Sequence, residues 1–192
     1  MRVNGAASLL QNLYGEHALM TMQIVSRGSK ILLLAAMGLF FTLVVLNNIA
    51  DFNSNYEFVH HTLAMDTTFP GNHGMWRAIH SPAVYVAFYL GIIAWEIASM
   101  VLCWWGAIAL LRAVHAPDRT FQQAKKIGIV ALALGMLLWF VAFECIGGEW
   151  FLMWQSSKWN GQEAAFRMFM IEAVVLILLQ MREPEADAAS LT

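Results

Sequence analysis

Four apolar runs constrain this chain more than anything else in it. Residues 31–50 carry no charge, 83–111 only Glu96, 127–147 only Glu144, and 164–180 only Arg167 and Glu172. A hydrocarbon core about 30 Å thick is crossed by about 20 apolar residues in a helix. Within lipid no backbone N–H or C=O can go unpaired, so runs of this kind must be helical. Of the 192 residues 59% are apolar and only 12% charged, against roughly 25% charged in ordinary soluble domains. The expectation is an all-α membrane protein with four transmembrane helices over 31–50, 83–111, 127–147 and 164–180, in one domain spanning 27–181.

Orientation follows from the basic residues. Arg2, Arg27, Lys30, Arg112, Arg119, Lys125, Lys126 and Arg182 fall on one side of such a bundle, and only Arg77, Lys158 and Arg167 on the other. The positive-inside rule then places both termini in the cytoplasm and the loops 51–82 and 148–163 outside. The net charge of −2 is small and no basic stripe is present, so nucleic acid is not an expected partner; the lipid bilayer is. Residues 1–26 read as a cytoplasmic or interfacial segment, with Met20 or Met22 as alternative starts. The first apolar run exceeds a 7–15-residue signal core, which marks it as a retained anchor. The acidic stretch 182–192 reads as a solvated, disordered cytoplasmic tail, barred from further helix by Pro184. Cys103 and Cys145 differ in depth by on the order of 20 Å, beyond disulfide reach, and read as packing thiols.

The loop between the first two runs, "EFVHHTLAMDTTFPGNHGMWRAIH", holds four of the six histidines. "SNYE" fits a capping box with Ser54 as N-cap and Glu57 three residues on, opening a short helix over 55–65. Pro70-Gly71 suits the centre of a type II turn, and Ser81-Pro82 suits the start of the next helix. His61, Met65, His73 and Met75 form a candidate copper site, since histidine and thioether suit copper. His60 and His61 point about 100° apart on a helix, so a single site using both is disfavoured. Arg77 is the one strong positive charge in a loop with Asp51, Glu57 and Asp66, and an ion pair with Asp66 is expected.

Carboxylates within membrane spans are functional hypotheses by default. Glu144 and Glu149 are rival partners for Arg167. Glu96 and Glu172 lie nearer the mid-plane without an obvious cation. They serve either a proton relay or quinone contact, or a protonated carboxyl bonded across a helix interface. No histidine lies inside a span, which argues against a bis-histidine haem. No nucleophile–base–acid set and no glycine-rich phosphate cradle is present. Trp76, Trp150, Trp154 and Trp159 read as an interfacial belt.

The stretches "NNIADFNSNYEFVHHTLAMDTTFPGNHGMWRAIHSPAVY" and "IGGEWFLMWQSSKWNGQEAAFR" resemble a family of bacterial predicted small integral membrane proteins, catalogued as a domain of unknown function. The resemblance covers roughly 26–179. Its pattern falls on Asn48, Asp51, Asn55, His61, Met65, Asp66, Trp76 and Arg77, and in the second motif on Glu149, Trp150, Trp154, Trp159 and Arg167. It leaves out His60, His73, His80 and Glu144. It therefore implies the Asp66–Arg77 and Glu149–Arg167 pairs rather than a multi-histidine site, and it carries no activity with it.

The reading that results is a multi-pass protein of the bacterial inner (cytoplasmic) membrane, N-in and C-in, whose loops 51–82 and 148–163 fold into an ordered outer cap. It leans to a non-catalytic role, as an accessory or assembly subunit among other integral membrane subunits of a larger, respiratory-type complex. The small-residue faces Gly91, Ala94, Ala98 and Gly128, Ala131, Gly135 suit close helix packing. Two alternatives stay open: a redox component binding copper or quinone at the outer loop, and a membrane enzyme or proton carrier using Glu96 and Glu172.

Overall fold

The computed structural model describes residues 3–183. Among them there is no strand; the chain runs as α1 (Val3–Ala50), α2 (Phe52–Ala64), α3 (Pro82–Arg112), α4 (Asp118–Leu137) and α5 (Gln162–Gln180). Two short 3₁₀ turns, Met75–Arg77 and Met153–Gln155, interrupt the loops. α4 does not stop at Leu137: the helix continues in π form over Leu138–Trp150. Three helices are long and apolar enough to cross a membrane, over His17–Ala50, Pro82–Arg112 and Asp118–Trp150. α1 runs unbroken through position 26, so the N-terminal segment and the first apolar run are one helix.

α1, α3, α4 and α5 pack side by side in a ring, α1 against α3, α3 against α4, α4 against α5, and α5 back onto α1. Their shared core is built by Leu34, Phe41, Cys103, Leu110, Leu132, Leu138 and Leu179. Glycines set how closely the helices approach. A Cβ on Gly106 would sit 2.8 Å from the backbone nitrogen of Gly128, so α3 and α4 touch backbone to backbone there. Gly128 in turn makes room for Leu34 and Leu179.

At the far end of α1 the two long loops fold into one cap. Val59, Leu63, Met65, Tyr85, Tyr89 and Phe151 form its core. Thr67 Oγ1 donates to Ser156 Oγ at 2.8 Å, and the backbone N–H of Phe69 donates to Gln155 Oε1 at 3.0 Å. Trp76 meets Trp150, and Phe69 meets Trp154, edge to face at 5.8 Å. Pro70-Gly71 closes as expected for a type II turn: Gly71 has φ 78°, and the Asn72 N–H returns to the Phe69 carbonyl at 3.3 Å. Ser81 and Pro82 do open α3.

The start of α2 is a correction. The N-cap is Asp51, three residues before the expected Ser54, and the Ser54 hydroxyl donates to the Asp51 carboxylate at 2.7 Å. The capping box is not formed. Because only one residue, Asp51, separates α1 from α2, the chain has no room for a new N-terminal turn further along. α2 ends on Met65 in the left-handed region (φ 53°), a conformation that a non-glycine residue holds only when its surroundings impose it. Met65 is buried, and that packing is the constraint.

The opposite end of the ring is held by buried charge. Lys30 and Lys125 both donate to the Met181 carbonyl and to Glu183, whose side chain is fully buried. Gln122 adds a further hydrogen bond to the same carboxylate. Glu183 belongs to the stretch expected as a solvated tail, and it is not solvated; residues 184–192 lie outside the described residues. Arg27 donates to the carbonyls of Val114 and Ala116 at 2.8 and 2.7 Å and tethers the α3–α4 loop.

Candidate functional site

The residues with chemistry gather in three places. The first lies on the cap, on α2. His61 is stacked between His60 and Trp159, with ring centroids 4.7 Å away on either side. Its Nδ1 meets Asp66 at 2.7 Å and its Nε2 meets Glu57 at 3.5 Å. His60 Nδ1 reaches the same Glu57 oxygen at 3.1 Å. Glu57, His60 and His61 bring three donor atoms within 4.8 Å of one another. Adjacent histidines thus share one carboxylate, against the expectation from helix geometry. Their rings tilt together over the Glu57 side chain one turn below, at i−3 and i−4.

The expected four-residue set at this end is not assembled in that form. Met65 is spent in the cap core, and the Met75 sulfur accepts the Thr68 hydroxyl at 3.5 Å. Among the described residues His73 makes no hydrogen bond to either.

The expected ion pairs are also corrected. Asp66 pairs with His61, and Arg77 donates to the carbonyls of Gly74 and Glu149 at 3.3 and 3.4 Å. The left-handed turn at Met65 ends α2, and the Asp66 carboxylate that follows it meets His61. The guanidinium lies instead against Trp76 and Trp150, 5.8 and 5.6 Å from their ring centres. Arg77 still ties the two loops together, through a carbonyl and aromatic faces rather than a carboxylate. Among the described residues Arg167 pairs with neither Glu149 nor Glu144. Glu144 accepts from Gln162 Nε2 at 3.1 Å, in space left by Gly148.

The second place is a polar knot where cap meets bundle. Glu96 on α3 is 3% exposed and accepts from Asn48 Nδ2 at 2.6 Å. Asn48 on α1 is the hub. Its Oδ1 accepts from Asn55 Nδ2 at 2.5 Å and from the Tyr89 hydroxyl at 3.3 Å, and Tyr89 also reaches the Asn48 carbonyl at 3.1 Å. The knot forms one side of a cavity of about 260 Å³ between α1, α2, α3, the π segment and the start of α5. Asn48 and Asn55 matched the family pattern without a role. A buried asparagine near the end of an apolar run is the signal that marks such a hub.

The third place is deeper in the ring. Glu172 on α5 is fully buried, and its Oε1 accepts from the Trp139 indole N–H at 2.8 Å. Its Oε2 has no partner among the described residues and packs against Gly135, where a Cβ would fall too close to fit. Trp139 also lines the cavity beside Glu96, so the two buried carboxyls flank one indole without a direct bond between them.

A helical ring with apolar spans and carboxyls enclosed between helices is an integral membrane protein. The chain belongs to the family described as predicted small integral membrane protein (DUF2165), which matches residues 26–182. No curated protein and no solved structure matches it.

Proposed function

We propose that the chain crosses the bacterial inner membrane four times with both termini in the cytoplasm. On this reading it is a non-catalytic accessory or assembly subunit of a larger membrane complex. The observation that carries it is the different fate of two small-residue faces. Gly128, Ala131 and Gly135 are buried within the ring. Gly91, Ala94 and Ala98 on α3 are exposed, and a Cβ added at Gly91 would meet nothing within 4 Å. In lipid, helices associate by close packing of small residues. An exposed small face on a ring that is already closed suits a helix of another subunit.

Extraction in mild detergent followed by mass spectrometry of the bound proteins tests this. The pair Gly91→Leu and Ala94→Leu should release the partner while thermal stability is unchanged. A chain recovered alone from native membranes would overturn the reading.

A second reading, a metal-binding redox component, draws support from Glu57, His60 and His61, with donor atoms within 4.8 Å of one another. Stoichiometric copper lost on His61→Ala would favour it. Metal-free protein whose melting temperature a chelator leaves unmoved would remove it.

A further inference from the structure

The cavity at the polar knot is defined by a mismatch between its walls and its floor. Its walls are apolar and largely aromatic, with Phe58, Tyr89, Trp139 and Phe143 around it. Its floor holds Glu96, nine-tenths buried and more, yet no Lys, Arg or His lines it anywhere. Asn48, Asn55 and Tyr89 turn their donors toward one another and toward Glu96 Oε2. Glu96 Oε2 takes the hydrogen bond from Asn48, and Oε1 remains accessible on the cavity side. A largely buried carboxyl among aromatic walls is poorly solvated, at a cost in free energy that a further partner reduces. An occupant that relieves this cost brings hydrogen-bond donors or positive charge. Aromatic faces add to the attraction for a cation through their quadrupoles. A quinone, by contrast, presents carbonyl acceptors and offers no positive charge to the Glu96 carboxyl.

We infer that this cavity is a binding site for a small organic cation, an ammonium or amine carried on an apolar body, with Glu96 as its counter-charge. The size agrees: about 260 Å³ lies just below the roughly 300–1,000 Å³ of pockets for drug-sized ligands. Asn55, exposed on α2, stands at its rim, so entry is from the cap side.

Benzyltrimethylammonium is the probe, and its neutral carbon analogue neopentylbenzene is the control. Calorimetric titration into the purified full chain should show saturable one-site binding of the cation. Neopentylbenzene should fail to displace it. Glu96→Gln should weaken binding at least tenfold. Ala164→Phe, which fills the cavity and leaves Glu96 in place, should abolish it. Glu172→Gln, outside the cavity, should leave it unchanged. Displacement by neopentylbenzene at equal concentration would overturn the inference, as would absence of saturable cation binding. A short-chain quinone that binds where the cation does not would overturn it too. Should Glu96→Gln fail to fold, the cation–isostere pair on the unaltered chain and Ala164→Phe still decide the matter.

Discussion

Glu183 sits with two lysines around it, and its environment pulls in opposite directions. Burial alone would push its carboxyl up, but hydrogen bonds from Lys30 and Lys125 outweigh that and hold it below its ordinary value of 4.5. A carboxyl with a depressed folded value contributes stability that is present above its unfolded value and lost as pH falls through the folded one. The melting temperature of the purified chain should therefore hold from neutrality to about pH 4.5 and fall below it. In Glu183→Gln that acid limb should flatten. At neutral pH the same change should cost about 3–5 kcal/mol, because it strands buried lysines. An unchanged acid limb in the variant would show the cluster to be incidental. At Glu172 the expectation differs. Glu172→Gln keeps an acceptor for the Trp139 indole and should cost little, whereas Glu172→Leu frees that N–H and should cost about 1–3 kcal/mol. Thermal denaturation of both variants checks this, and equal losses would contradict it. The sequence exposed the buried carboxyls because charge in an apolar run stands out. It did not expose their partners. Asp66 went to His61 because a buried methionine takes a left-handed turn, and no local propensity announces that. Glu183 looked like tail because its partners are lysines more than fifty residues away in the chain.

Helices were the most legible level. The runs over 83–111 and 164–180 match α3 and α5 nearly end to end, and 31–50 forms the last part of the much longer α1, since apolar runs in lipid have no other way to pair their backbone. Two features of the elements escaped. The π segment over Leu138–Trp150 changes which residues face inward, so the 3.6-residue period stops describing that stretch. Trp139 and Phe143, four residues apart on it, stand with ring centroids 5.1 Å apart on the cavity wall. The other feature is the direction of the small residues. Composition marked two small-residue faces alike, and only the packed ring distinguishes them. That difference makes a prediction at this scale. Gly106→Leu must separate α3 from α4, because a Cβ there stands 2.8 Å from the Gly128 nitrogen. It should destabilise the bundle by about 1–3 kcal/mol, the usual cost of overpacking a tight interface. Gly91→Leu, with nothing within 4 Å of its Cβ, should fall within experimental error of the unaltered chain. Chemical denaturation in detergent measures both, and a reversal of their order would contradict the packing.

For the whole molecule the open issue is α5. It carries Glu163, Arg167 and Glu172, a charge load that by itself counts against a span. The packing argues otherwise. α5 begins beside the cap, where Gly161 meets Phe58. It ends where Glu183 meets Lys30 of α1 and Lys125 of α4. Nineteen residues at 1.5 Å each reach about 28 Å, close to the thickness of a hydrocarbon core. Its central charge, Glu172, faces Trp139 within the ring rather than lipid. A helix that begins and ends level with its neighbours and turns its carboxyl inward fits the four-crossing arrangement proposed above. Single cysteines introduced as His73→Cys, Asn160→Cys, Gln123→Cys and Arg182→Cys test this in a background with Cys103→Ala and Cys145→Ser. In intact cells an impermeant maleimide should label positions 73 and 160, and label 123 and 182 only after lysis. Labelling of 160 and 182 from the same side would mean that α5 does not cross, and labelling of 123 before lysis would invert the protein. The inversion would also move the cap, its histidines and the mouth of the cavity to a different compartment from the one proposed.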